Sequence, residues 1–278
     1  MLENIGFDTL IKNSLLEDMN NGDITTDNLI DEQSISTAEI IAKERGIIAG
    51  LDIANQTFTF LDKRIQFTKL VEDGALVEKG DIIARIKGKT KAILSGERTA
   101  LNFIQRMSGI STNTSKYLNK IKQYNTRVVD TRKTTPSLRL IEKYAVRVGG
   151  GHNHRFNLSD AVMIKDNHIK AAGGISNAVN KIREVIPHTV KIEVEVENLE
   201  GLKEALDSKS DIIMLDNMNI ETMIEAVKIN KGRAILEASG NITLENLEAV
   251  AKTGVDVISV GALTHSVKSL DISLNIIE

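Results

Sequence analysis

The sequence contains no cysteine and no tryptophan, and only 3% of its 278 residues are aromatic. Without cysteine, disulfides, thiolate metal sites and cysteine nucleophiles are all excluded. With so few aromatic rings, base-stacking platforms for nucleic acid are not expected, and aliphatic side chains must fill the core. The net charge is only −3. No global field therefore draws the protein to DNA or to an acidic membrane. No apolar run reaches the ~18 residues that would indicate a membrane span. The opening residues, MLENIGFDTLIKN, show no basic segment followed by an apolar run. No secretory signal is visible there, and a cytoplasmic location is expected.

What is present is a chain with 41% hydrophobic residues. Disorder is not expected at that fraction. The length suits one large barrel plus a smaller companion domain. Two styles of sequence follow one another. Residues 1 to about 110 mix turns with short segments and read as an α+β domain. There, Ile40 to Ile48 reads as a strand broken at Arg45-Gly46, with further strands at Phe67–Val71 and Ile82–Ile86. Ser95 to Met107 reads as an amphipathic helix. From about residue 125 apolar strands alternate with amphipathic helices, and the second domain is placed at 111–265. The strands are expected at Arg127–Asp130, Ala161–Lys165, Val190–Val196, Asp211–Asp216, Arg233–Glu237 and Asp256–Val260. Pro136 is placed at a first helical position, and Ser176, Asn198, Asn219 and Thr243 are expected N-caps. Six such units predict a parallel sheet, closed or open. The tail, about 266–278, is a candidate to pack on the first domain.

Sheets of this kind collect function at the carboxyl ends of their strands. Those ends carry three constellations. The first is basic: Arg132, Lys133, Arg155 and Lys165 follow strand ends or sit in the Gly-rich loop Gly149–Phe156, with Arg98 on a helix of the first domain. Such a set suits a dianion, or a phosphate and a carboxylate together. The second is acidic. A strand period of two puts Lys191, Glu193, Glu195 and Glu197 on one face, with Asp216 at the next strand end. These carboxylates suit hydrated Mg²⁺ shared with phosphates, a sugar diol, or an internal salt-bridge lattice with Lys191 and Lys165. The third is a phosphate cradle: Ser239-Gly240-Asn241, and Val260-Gly261-Ala262 after the last strand. His152 and His154 lack zinc-ligand spacing, and His154 is read as a hydrogen-bond donor to an anion. His188 and His265 are placed at the surface. Ser111 and Thr112 have no evident His/Asp partners for a triad.

Several of these segments, in this order, resemble the quinolinate phosphoribosyltransferase family. They are Glu17-Asp18, Gly22-Asp-Ile-Thr-Thr26, Gly96-Glu-Arg-Thr-Ala-Leu-Asn102, Asp130-Thr-Arg-Lys-Thr134, Gly149-Gly-Gly-His-Asn-His-Arg155 and Asn157-Leu-Ser-Asp160. Ile164-Lys-Asp-Asn-His168, Leu215-Asp-Asn-Met218, Glu237-Ala-Ser-Gly240 and Ser259-Val-Gly261 continue the series. The resemblance implies an N-terminal sandwich domain joined to an incomplete, seven-stranded α/β barrel. The seventh strand is implied by the family alone. It implies a homodimer or an assembly of dimers, with Arg98 reaching the neighbouring subunit's site. It implies transfer of phosphoribosyl from phosphoribosyl pyrophosphate to quinolinate, with loss of CO₂ and with Mg²⁺ assisting. Arg98, Arg132, Lys133, His154, Arg155 and Lys165 would then hold the dicarboxylate, with Thr131 a further substrate-binding residue. Glu195 and Asp216 would hold ribose and metal, the latter mostly through substrate and water. Ser239, Gly240, Asn241, Val260, Gly261 and Ala262 would hold the 5′-phosphate. Lys133 or Lys165 would aid decarboxylation electrostatically, so Lys133, Lys165, Glu195 and Asp216 form the implied catalytic set. The rival readings are a molybdenum-locus relative on the same scaffold, a non-carboxylating nicotinate enzyme, and a non-catalytic phosphosugar-binding protein.

Overall fold

The computed structural model describes residues 7–278. The chain divides into two compact units. One runs up to Asn113 and includes Val267–Glu278; the other is Thr114–Ser266.

The first unit holds α1 (Asp8–Met19), α2 (Ile24–Leu29), β1 (Ile35–Ala42), β2 (Gly46–Ile47), α3 (Leu51–Leu61), β3 (Gln66–Lys69), β4 (Leu76–Val77) and β5 (Ile82–Lys89). The long helix α4 (Thr90–Lys120) begins in this unit. Expected strand bounds move by a few residues: the break expected at Arg45-Gly46 falls at residues 43–45, between β1 and β2, and Gly46 opens β2. The helix expected over Ser95–Met107 is much longer. Ser108, Gly109, Ser111 and Thr112 are poor helix formers and read as its end. Tertiary contacts give them other work. Ser108 Oγ accepts the Ala49 N–H (3.0 Å), and Thr112 Oγ1 accepts the Ile47 N–H (2.8 Å). At Gly109 an added Cβ would lie 2.3 Å from the Lys268 carbonyl oxygen. Ile40, Phe58, Ile86 and Ile104 are among the fully buried side chains of this unit's core.

The second unit follows with β6 (Arg127–Val129), α5 (Arg139–Val148), β7 (Val162–Ile164), α6 (Asp166–Ala172), α7 (Ile175–Arg183), β8 (Ile192–Val196) and α8 (Leu199–Asp207). It continues with β9 (Ile212–Asp216), α9 (Ile220–Asn230), β10 (Ile235–Ser239), α10 (Leu247–Lys252), β11 (Val257–Ser259) and α11 (Ala262–His265). The chain then returns to the first unit as β12 (Ile272–Ile276), which pairs with β1 in a sheet ordered β12-β1-β5-β3. All strand pairs in the second unit's sheet are parallel, and its order is β6-β11-β10-β9-β8-β7. On the free edge of β6, His152 forms a single parallel bridge with Val129. The expected strand at Arg233–Glu237 lies two residues later, so its carboxyl end is Ser239.

The caps divide. Asn198 Oδ1 accepts the Gly201 N–H and Asn219 Oδ1 accepts the Thr222 N–H, both at 2.8 Å. Ser176 is not a cap: Gly174 takes that position, and the Ser176 hydroxyl meets Ser208 Oγ at 3.0 Å. Thr243 opens a turn, and Asn246 is the N-cap of α10. Pro136 also opens a turn rather than a helix. Ser137 follows at φ +66°, outside the helical region, and α5 begins at Arg139.

Candidate active site

A cavity of about 930 Å³ opens at the carboxyl ends of the second unit's strands. Arg132, Lys133, Arg155 and Lys165 all line it, with Thr131 and His154 beside them. Arg155 donates to the Ala161 carbonyl at 3.0 Å, which fixes its reach. Burial, and then the charge of Arg132, hold the Arg155 pKa below its ordinary value. Cations kept this close favour an anion between them. Glu195 and Asp216, on neighbouring strands, also line it. Glu195 is ion-paired with Lys165. The loops Ser239-Gly240-Asn241 and Gly261-Ala262 complete the lining.

Backbone placement explains the loops. The Asn217 N–H donates to the Ser239 carbonyl at 2.9 Å. Gly240 sits at φ +91°, and a Cβ there would lie 2.2 Å from Asn217 Oδ1. Only glycine combines that dihedral with that approach. Val260 is placed otherwise than expected. It is fully buried, and its N–H donates to the Val129 carbonyl at 2.9 Å, so this amide is spent in the sheet.

A buried knot ties the basic loops together. Asp130 and Lys143 are fully buried and ion-paired. Asp130 also accepts the Asn153 side-chain amide (2.5 Å) and the His154 N–H (2.9 Å). Lys143 Nζ donates to the His154 carbonyl at 2.9 Å and lies 5.0 Å from the Phe156 ring centre. Burial pushes Asp130 up and Lys143 down, and their mutual attraction offsets this only in part. The turn after β7 is held by His168, whose Nδ1 accepts the Lys165 N–H at 3.0 Å.

The acidic face is resolved differently from its expected form. Lys191 and Glu197 lie outside β8 and are exposed. Glu193 is buried and pairs with His154, not with Lys191 or Lys165. His154 Nε2 lies 3.2 Å from Glu193 Oε2 and 3.5 Å from Glu237 Oε2. Burial lowers the basicity of His154, and Glu193 and Glu237 raise it further than burial lowers it. Its Nδ1, however, accepts the Arg155 N–H at 2.8 Å. A second ring proton has no place there, so we assign the single proton to Nε2. Both ring nitrogens thus have protein partners, and donation to a ligand anion requires Nε2 to leave the glutamates.

A second cavity, of about 690 Å³, lies at the opposite, amino ends of β8 to β11. Its Asp211 and Asp256 accept the Ile192 and Leu236 N–H groups at 2.9 and 2.8 Å. Those carboxylates serve the sheet.

Comparison with known proteins decides the family. A model of the quinolinate phosphoribosyl transferase C-terminal domain matches residues 110–275, and one of the N-terminal domain matches residues 23–108. The chain belongs to the quinolinate phosphoribosyltransferase family. It is 48% identical over 267 residues to the probable carboxylating nicotinate-nucleotide pyrophosphorylase of Bacillus subtilis, covering 96% of this chain and 92% of that protein. It is 42% identical over 286 residues to a mitochondrial quinolinate phosphoribosyltransferase [decarboxylating] of Nicotiana tabacum, covering 96% and 81%. The solved nicotinate-nucleotide pyrophosphorylase of Francisella tularensis superposes with a TM-score of 0.94 at 46% identity, covering 100% of this chain and 99% of that one.

Most of the candidate site residues therefore meet at one cavity. Arg98 does not: it is exposed on α4, in the first unit, and the cavity is lined from the second. Sequence reasoning missed Lys143, Asn153 and Met163. It also assigned His265 to the surface; His265 is exposed, yet it lines the cavity rim. Lys143 carried one usable signal, a cation between Ile141 and Ala145 on the buried face of α5. His188 is exposed.

Proposed function

We propose that this protein transfers phosphoribosyl from phosphoribosyl pyrophosphate to quinolinate, giving nicotinate mononucleotide, pyrophosphate and CO₂ in de novo NAD biosynthesis. One observation carries this reading. Relatives covered over 81–92% of their length are named as carboxylating or decarboxylating enzymes of this reaction. The clustered cations Arg132, Lys133, Arg155 and Lys165 support it, because quinolinate is a dicarboxylate and needs two anion partners.

In this reading Arg132 and Arg155 hold the carboxylates, and Lys133 and Lys165 aid their charge changes. Asp216 and Glu195 face the ribose, where positive charge develops as pyrophosphate departs. The two carboxylates stand on adjacent strands at a cavity wall, with Glu195 already tied to Lys165. That donor set fits a hydrated Mg²⁺ shared with substrate better than a closed protein cage. Mg²⁺, when bound, neutralises the departing pyrophosphate. The Gly240 and Gly261 loops hold the 5′-phosphate. The fold is read as an incomplete seven-stranded barrel beside an N-terminal sandwich: strand order is cyclic, and the bridge at His152 stands where a seventh strand would. A homodimer, or an assembly of dimers, with Arg98 reaching the partner's site would bring the missing cation to the pocket. A cytoplasmic location is consistent with the described residues, where no helix is long and apolar enough to cross a membrane.

The test supplies Mg²⁺, phosphoribosyl pyrophosphate and either quinolinate or nicotinate, and follows nucleotide and CO₂. Quinolinate is expected to yield both in equal amounts, and nicotinate neither. Absence of CO₂-linked nucleotide from quinolinate overturns the reading. Arg132→Ala removes a charge-assisted pair worth ~1.5–3 kcal/mol, so quinolinate affinity should fall about 10- to 100-fold. Phosphoribosyl pyrophosphate affinity should change little, and equal losses would sink the assignment. Gly240→Ala should weaken phosphoribosyl pyrophosphate binding at least about 10-fold through displaced Asn217, given the left-handed backbone it strains. An unchanged dissociation constant would contradict the cradle.

A further inference from the structure

The proposed reaction needs a proton that no role assigned so far supplies. Loss of CO₂ leaves an electron pair on the ring carbon next to the glycosylated nitrogen, and the product carries hydrogen on that carbon. The donor must reach the ring without flooding the site with water.

The cavity lining offers one. Glu237 lies on β10, two residues before the phosphate-facing Ser239, and shares its face by the strand period. Strand register sets it level with Met214 and Glu195. It lines the cavity although only 3% exposed. One of its oxygens, Oε1, is buried without a hydrogen-bond partner. Ionised, that oxygen would hold charge with nothing to satisfy it. As a carboxylic acid, the group can turn its O–H toward the cavity.

Glu237, Glu193 and His154 place one ligand atom each within 4.8 Å of one another, a spacing that suits a metal ion as well as a proton. His154 decides between them. Its Nδ1 already accepts the Arg155 N–H, so a metal on Nε2 would require a fully deprotonated ring. The trio therefore holds protons.

We propose that Glu237 is the carboxylic acid that protonates the ring carbon vacated by CO₂. This inference rests on the function proposed above. The bond between the ring carbon and the carboxylate carbon breaks, and its electron pair stays on the ring. That pair takes the Glu237 proton to form the new C–H bond. CO₂ departs, Glu237 is left as a carboxylate, and it regains a proton from water once product leaves. The groups facing it are Glu193 on β8, His154, Lys165 after β7 and Ser259 on β11. Burial and then the charge of Glu193 push Glu237 up to about 7, against smaller opposing effects of His154, Ser259 and Lys165. The acid form prevails below that value, so turnover should fall as pH rises through about 7.

The experiment compares wild type with Glu237→Gln, which keeps size and removes the acid. Single-turnover nucleotide formation from quinolinate is followed from pH 5.5 to 9, roughly one and a half to two units either side of that midpoint. Wild type is expected to lose rate with a midpoint near 7. The variant should be slower by ~10²-fold and should lack that limb. A variant as fast as wild type overturns the proposal. So does a slow variant that keeps the limb, or a wild type without one. If wild type itself yields no CO₂, it is the proposed function that fails, not the role of Glu237.

Discussion

Asp130→Ala is expected to destabilise the protein by ~3–5 kcal/mol in urea unfolding at neutral pH, because it strands a buried cation. Lys143 is fully buried, and Asp130 is its only acidic partner at ion-pair distance among the described residues. Its remaining contacts are the His154 carbonyl and the face of Phe156, neither of which carries a full negative charge. The same substitution leaves the His154 N–H without its acceptor and the Asn153 amide with only the Lys143 carbonyl. Asp130 directly precedes Thr131-Arg132-Lys133, while His154 precedes Arg155. Loosening the knot therefore separates Arg132 from Arg155, and quinolinate binding should weaken along with stability. A loss below ~1 kcal/mol would mean that water reaches Lys143, and the knot would not be the device that aligns the two loops.

Asp216→Asn is expected to lower kcat by about 10²- to 10³-fold, the usual effect of removing one group aimed at developing charge. Glu195 is already paired with Lys165, so Asp216 supplies the less compensated negative charge on this wall. The neutral amide keeps the shape and keeps a side-chain oxygen for Asn217, whose amide donates to Asp216 Oδ2 at 2.8 Å. The melting temperature should be nearly unchanged, and phosphoribosyl pyrophosphate affinity should fall far less than kcat. Those two readings separate a transition-state role from a structural one. A kcat within about fivefold of wild type would remove Asp216 from the catalytic set.

The strand ends were legible because they obey local rules. An apolar run of three to five residues followed by charge can be recognised from neighbours in the chain alone. Asn198 and Asn219 were legible as caps for the same reason: each bonds an N–H three residues on. Local rules failed where a distant group intervened. Ser108 and Thr112 look like a helix end until Ala49 and Ile47 claim their hydroxyls. Ser176 looks like a cap until Gly174, in an extended conformation closed to most side chains, takes the position.

By itself the sequence determined the parallel α/β plan, the exclusion of thiol chemistry, and the family. It also determined that cations and carboxylates crowd one edge of the sheet. Only the tertiary structure decided how they pair. The period of two placed Glu193 and Glu195 on one face, but not one beside His154 and the other beside Lys165. It gave no sign that Lys143 is buried against Asp130, or that Glu237 has an oxygen with no partner. The physical reason is range. Periodicity and capping act within a turn or a strand, whereas the burial and charge that set these carboxyl groups come from residues separated by tens of positions and joined only by the parallel sheet.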